Sequence, residues 1–157
     1  MATLKKSSDQ LGVDYNSFDG VPRGRHCIAF VRLSDSRGLK VYNDSHDRDR
    51  LYQSQRSLAQ KGLAPGCDEK IDITMRDGSI KYAYVTVIAD IAYDGMHGVE
   101  TRTDYADRRG LTRDKVMSDL IDLKERLDCV GYNWRDCCIF NFGYCNGRAV
   151  LTDVDCE

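Results

Sequence analysis

A chain of 157 residues, 41% hydrophobic and 31% charged, is long enough to bury a core as one domain or two small lobes, and its composition excludes disordered and fibrous classes. A formal charge of −2 with a sequence pI near 5.9 leaves no general basic footprint for nucleic acid. No apolar run reaches membrane-spanning length and the opening MATLKKSSDQ has no apolar centre of a signal peptide, so a cytoplasmic protein that engages no membrane is expected.

Seven cysteines, an odd number without a secretory signal, point to reduced thiols rather than a disulfide framework. Cys137, Cys138, Cys145 and Cys156 fall close together, but with no C-x2-C spacing and no nearby histidine they read as buried small hydrophobes before they read as zinc ligands.

In chain order, residues 1–18 read as a polar tail that can end in a first short strand. Asp19 to Arg25 is a turn punctuated by Gly20, Pro22 and Gly24, residues that allow close backbone approach. His26 to Leu33 is a strand, Ser34 to Gly38 turns the chain, and Leu39 to Tyr42 returns antiparallel with Lys40 on the face opposite Leu39 and Val41. From Asp44 to Lys61 the period becomes helical: Leu51, Gln55, Leu58 and Gly62 share one face, Tyr52 and Ala59 lie beside it, and Gly62 with Pro65 stops the run. Ile71 to Met75, a turn over Arg76 to Ser79, and Ile80 to Ile88 form a hairpin whose second strand alternates Tyr82, Tyr84, Thr86 with Ala83, Val85, Val87. Ala89 to Ala92 reads as a connection between lobes, and residues 93–111 show no readable period. Thr112 caps a helix through Cys129 with the stripe Val116, Leu120, Leu123, Leu127, widened by Met117 and Ile121 and closed by Gly131.

The last stretch carries the chemistry. Asp136 and Asn141 stand five positions apart, Asn146-Gly147 is a strong hairpin signal, and the returning strand Arg148 to Thr152 delivers Asp153. Each residue also has a plain reading. Asp and Asn are common turn formers, a strand lysine protects an edge, Gln55 is an amide at a helix boundary, and terminal aspartates are solvated.

Trp134-Arg135-Asp136-Cys137-Cys138-Ile139-Phe140-Asn141 nevertheless resembles the H-R-D-x-x-x-x-N catalytic loop of the protein-kinase-like family, with Trp in the His place. Leu151-Thr152-Asp153-Val154-Asp155 resembles its D-F-G segment. The glycine turn, the strand lysine, the long helix, the hairpin, the second helix and the carboxylate hairpin follow in the order that this resemblance requires.

The resemblance implies an α+β kinase-like fold: a small antiparallel sheet with one helix over residues 19–90, then a reduced helical lobe over 91–157 ending in a catalytic-type hairpin. It implies that Lys40, Gly20, Gly24 and Gln55 face ATP, that Asn141 and Asp153 hold Mg2+, and that Asp136 takes the proton of an acceptor hydroxyl, with Lys40 also catalytic. Lys40 is then expected within reach of Asp153 across a cleft.

Departures accompany it. Two glycines make a sparse phosphate loop, neutral Gln55 stands where a glutamate is usual, and Val154-Asp155 replaces Phe-Gly. The chain given ends four residues after Asp153, so the acceptor is expected to be presented by a protein partner, another subunit or the small lobe itself, with a protein partner or substrate expected. The expected function is a minimal ATP- and Mg2+-dependent phosphotransferase acting on a protein or small-molecule hydroxyl. The alternative is a catalytically inactive kinase-like module that engages or inhibits a partner protein, and a purely structural α+β domain is the third reading.

Overall fold

The computed structural model describes residues 2–13, 27–91, 101–102, 112–135, 137 and 141–155. Its first layer is a five-stranded sheet in the order β1-β4-β5-β3-β2, built from β1 (Leu4–Ser7), β2 (Cys27–Arg32), β3 (Arg37–Tyr42), β4 (Cys67–Thr74) and β5 (Ile80–Val87). Period-two alternation gives this sheet two different faces. Ala29, Leu39, Val41, Ile71, Ile73, Ala83 and Val85 bury one of them as an aliphatic cluster. Tyr42 and Tyr84 on the other face join the larger core.

The sheet is mixed rather than antiparallel. Leu4–Ser7 pairs parallel with β4, Leu4 opposite Ile71 and Ser7 opposite Thr74, so part of the expected polar tail is an edge strand. A single helical turn, α1 (Ser8–Leu11), follows it, held by a capping box in which Ser7 and Gln10 satisfy each other's backbone N–H.

Helix α2 (Ser45–Gln60) is capped by the Asp44 side chain, which accepts from the His46 N–H, and ends before Gly62 at a φ of 73°. Arg48, Leu51, Tyr52, Gln55 and Leu58 are its buried residues, recurring at the three- and four-residue spacing that makes one face of a helix. That face lies against β3, β4 and β5.

Beyond β5 the chain forms a second sheet in the order β7-β6-β8-β9, from β6 (Ala89–Ile91), β7 (Thr101–Arg102), β8 (Phe142–Cys145) and β9 (Arg148–Leu151). Residues 89–91 are therefore a paired strand and not a bare connection, with Asp90 opposite Tyr144 and Ile91 opposite Gly143. A Cβ on Gly143 would run into the Asp90 carbonyl, so the close approach of β6 to β8 needs glycine there. Asn146 and Gly147, at φ 53° and 78°, make the tight β8–β9 turn.

Helix α3 (Arg113–Cys129) buries Val116, Leu120, Leu123 and Leu127, while the Thr112 side chain caps its start. Met117 and Ile121, expected to widen that stripe, are 37% and 55% exposed. They sit one position past the buried residues and rotate out to solvent. Among the described residues, the part after residue 88 combines helix α3 with a small sheet. Side chains from α2, α3, β8, β9, Trp134 and Val154 meet in one core. Among the described residues no helix is long and apolar enough to cross a membrane.

Candidate functional site

Lys40 stands on β3, between β2 and β5, with Phe30 and Tyr84 as its cross-strand partners. An interior strand has no edge to protect, and the side chain is only 5% exposed. Its Nζ donates to Gln55 Oε1 at 3.2 Å and to the Thr152 carbonyl at 2.7 Å. A buried ammonium is tolerated only when such oxygens replace its water. The second of these bonds spans 112 residues of sequence and brings the end of the chain to the first sheet.

Gln55 is 0% exposed and lies in the middle of α2, so it is no boundary amide. Besides Lys40, its Oε1 accepts from the Tyr84 hydroxyl at 2.7 Å, and its Nε2 donates to the Pro65 carbonyl at 2.9 Å and to Thr86 Oγ1 at 2.7 Å. Tyr84 and Tyr42 stack with centroids 6.0 Å apart and planes 16° from parallel. Burial pushes the Tyr84 phenol up to about 12, against the pull of Lys40. Burial also raises Tyr42 well above the ordinary phenol value, reinforced by Tyr84 and, more weakly, by Cys27 and Asp153. The hydroxyls around Lys40 therefore remain neutral donors at physiological pH.

The segment after β9 is fixed from several sides. The Thr152 N–H donates to the Asn141 carbonyl at 3.0 Å, just beyond the Phe142–Leu151 pair that begins the β8–β9 ladder. Val154 is 3% exposed within the main core, and its carbonyl accepts from the Tyr132 hydroxyl at 2.8 Å. Between these anchors lies Asp153, whose Oδ1 accepts from the Asp155 N–H at 3.0 Å. Arg50 on α2 stands 3.9 Å from the Asp155 carboxylate. Trp134, in the place that the catalytic-loop resemblance gives to histidine, is 1% exposed, and its indole N–H has no partner among the described residues.

Lys40, Gln55, Thr152, Asp153 and the Asn141 backbone thus gather at one place, on the α2 side of the first sheet and at the open end of the β8–β9 hairpin. Gly20, Gly24 and Asp136 lie outside the described residues. The arrangement offers an ammonium fixed by two neutral oxygens, with Asp153 the next residue after the Thr152 carbonyl that receives it. Sequence reasoning missed Tyr84, Thr86 and the Thr152 carbonyl as partners of the lysine and the glutamine. The alternation of Tyr82, Tyr84 and Thr86 with Ala83, Val85 and Val87 separated two faces without saying which meets the helix, and it is the polar tips of Tyr84 and Thr86 that bond Gln55.

Two cavities, of about 440 and 470 Å³, lie near Arg148, and neither is lined by Lys40, Gln55 or Asp153. No cluster of three or more His, Cys, Asp or Glu side chains able to hold a metal ion occurs among the described residues. Cys145, expected to be buried, is a half-buried free thiol, while Cys67 is half-buried and Cys129 exposed. Comparison with protein-family models, with curated proteins and with solved structures gives no match to this chain.

Proposed function

We propose that this chain is a minimal kinase-like phosphotransferase, dependent on ATP and Mg2+ and acting on a protein or small-molecule hydroxyl. One observation carries the reading: the ammonium of Lys40 on β3 bonds both Gln55 of α2 and the Thr152 carbonyl, one residue before Asp153. A strand lysine, the helix over its sheet and a carboxylate at the end of a hairpin are the three parts that position phosphates and metal in this class of chemistry. The bland alternatives for Lys40 and Gln55 do not account for two buried polar groups directed at each other.

In this reading Lys40 contacts the nucleotide phosphates, and Asn141 and Asp153 supply an amide and a carboxylate to Mg2+, a donor set that suits a hard cation which keeps several waters. The metal's chemistry, when bound, is to neutralise charge on the phosphate oxygens. Asp136 orients and deprotonates the acceptor hydroxyl. Val154, buried and hydrogen-bonded to Tyr132, fixes the backbone next to Asp153 without the Phe-Gly pair.

The test is a thermal melt with ATP and Mg2+ alongside a phosphate-transfer assay. At about ten times its dissociation constant, ATP stabilises a fold by roughly 1.4 kcal/mol, or about 3 to 5 °C for a chain of this size. That shift is expected in the parent and in Asp136→Asn, and absent in Asp153→Asn. Transfer should fall by roughly 10²- to 10⁴-fold in Asp136→Asn, the usual contribution of a catalytic base. A parent whose melting temperature no nucleotide moves would defeat the proposal. A shift without transfer would leave the inactive binding module in its place.

A further inference from the structure

We infer that Tyr84 and Thr86 are positioning residues that lock the Gln55 carboxamide with its oxygen toward Lys40, so that this position takes an amide and rejects a carboxylate. The catalytic meaning of the inference rests on the phosphotransferase reading, whereas its geometry does not.

Two partners of fixed character dictate the orientation of the amide. The Lys40 ammonium can only donate and the Pro65 carbonyl can only accept, so Oε1 faces the first at 3.2 Å and Nε2 the second at 2.9 Å. The remaining positions are filled by the two hydroxyls. Tyr84 gives its proton to Oε1 and Thr86 Oγ1 receives the other N–H, both at 2.7 Å. Thr86 in turn directs its own proton at the Val87 carbonyl at 3.1 Å, which leaves its lone pairs turned to the amide. All four bonds are made by a group with 0% exposure, and a buried network of this kind is stable only when every member is satisfied.

A glutamate at position 55 would add a charge opposite Lys40. Its second oxygen, however, would stand against the Pro65 carbonyl oxygen at the distance now bridged by an N–H, with no proton between them. The charge argument by itself says that a carboxylate anchors the lysine better. The contacts on the far side of the amide reverse that order.

Calorimetric titration of the full chain with ATP–Mg2+ and with adenosine tests this, because Lys40 is placed for phosphates that adenosine lacks. Thr86→Val and Tyr84→Phe are each expected to weaken ATP binding about 5-fold, the size of one neutral hydrogen bond, while adenosine affinity stays constant. Thr86→Ser restores the hydroxyl and should bind like the parent. Gln55→Glu should bind ATP more weakly than the parent. Tighter ATP binding by Gln55→Glu, unchanged binding by Thr86→Val, or a parallel loss of adenosine affinity would each overturn the inference. If the parent binds no nucleotide, the phosphotransferase reading fails and the positioning role is read from the rate at which an amine-acylating reagent modifies Lys40. That rate should be higher in Thr86→Val than in Thr86→Ser, and equal rates would overturn the role.

Discussion

Arg48 enters the interior from the first turn of α2 at 3% exposure and directs its guanidinium at the Ile71 and Ala83 carbonyls, 3.0 and 3.1 Å away. Its other nitrogens reach Asp72 at 3.0 Å and Asp49 at 2.6 Å, and its Cζ lies 5.6 Å from the Tyr82 ring centroid. The side chain thus ties the helix to two strands through backbone acceptors. Removing it strands those acceptors and a carboxylate, so Arg48→Met is expected to cost about 2 to 4 kcal/mol in urea unfolding. Asp72→Asn should cost much less, because that side chain is 27% exposed and water can replace the lost charge. Equal losses in the two variants would show that the ion pair, and not the carbonyl contacts, is what matters.

At the scale of elements, the join between the two parts of the chain is β6, a strand of three residues that pairs on both sides. Its approach to β8 depends on a missing Cβ at Gly143. Gly143→Ala should push the strands apart and destabilise the protein by about 1 to 3 kcal/mol, the usual range for overpacking. The signature to measure is amide hydrogen exchange, which should rise at residues 90 and 91 more than in β3 or β5. Uniform acceleration across both sheets would mean that the second sheet does not open by itself. The β8–β9 hairpin matters to the site for a related reason: its tight turn sets the register that places Thr152 opposite Asn141.

For the whole molecule, two partly buried thiols couple stability to alkaline pH. Burial raises Cys67 from 9.0 to about 11, with Lys40 opposing, and burial followed by Asp90 raises Cys145 from 9.0 to about 11. In the folded state both hold their protons over a range in which the unfolded chain has lost them. This contribution is complete below pH 9 and is lost as pH climbs toward 11. The melting temperature should therefore fall over that interval, and Cys67→Ala with Cys145→Ala should flatten the decline. An unchanged slope in the double variant would assign alkaline sensitivity to other groups, such as Tyr84. Both thiols should also alkylate slowly near neutral pH.

Local pattern alone determined a good part of this protein. Helix α2 with its buried stripe, helix α3 with its Thr112 cap, the Ile80–Val87 strand and the Asn146-Gly147 turn are written in periodicity and in cap and turn chemistry, which depend on neighbours a few residues away. Tertiary structure alone decided the rest. Leu4–Ser7 becomes a strand because β4 offers it a parallel edge, and Ala89–Ile91 because Gly143 lets it approach. Neither cause lies within the segment itself. The gathering of Lys40, Gln55, Tyr84, Thr86 and Thr152 is of the same kind. Residue types and chain order suggested a lysine and an aspartate in one site, but the amide's orientation follows from Pro65 and Thr86 on one side and Lys40 and Tyr84 on the other. Hydrogen bonds between groups 10 to 112 positions apart leave no period in a sequence, because their geometry exists only after the sheet and helix have packed.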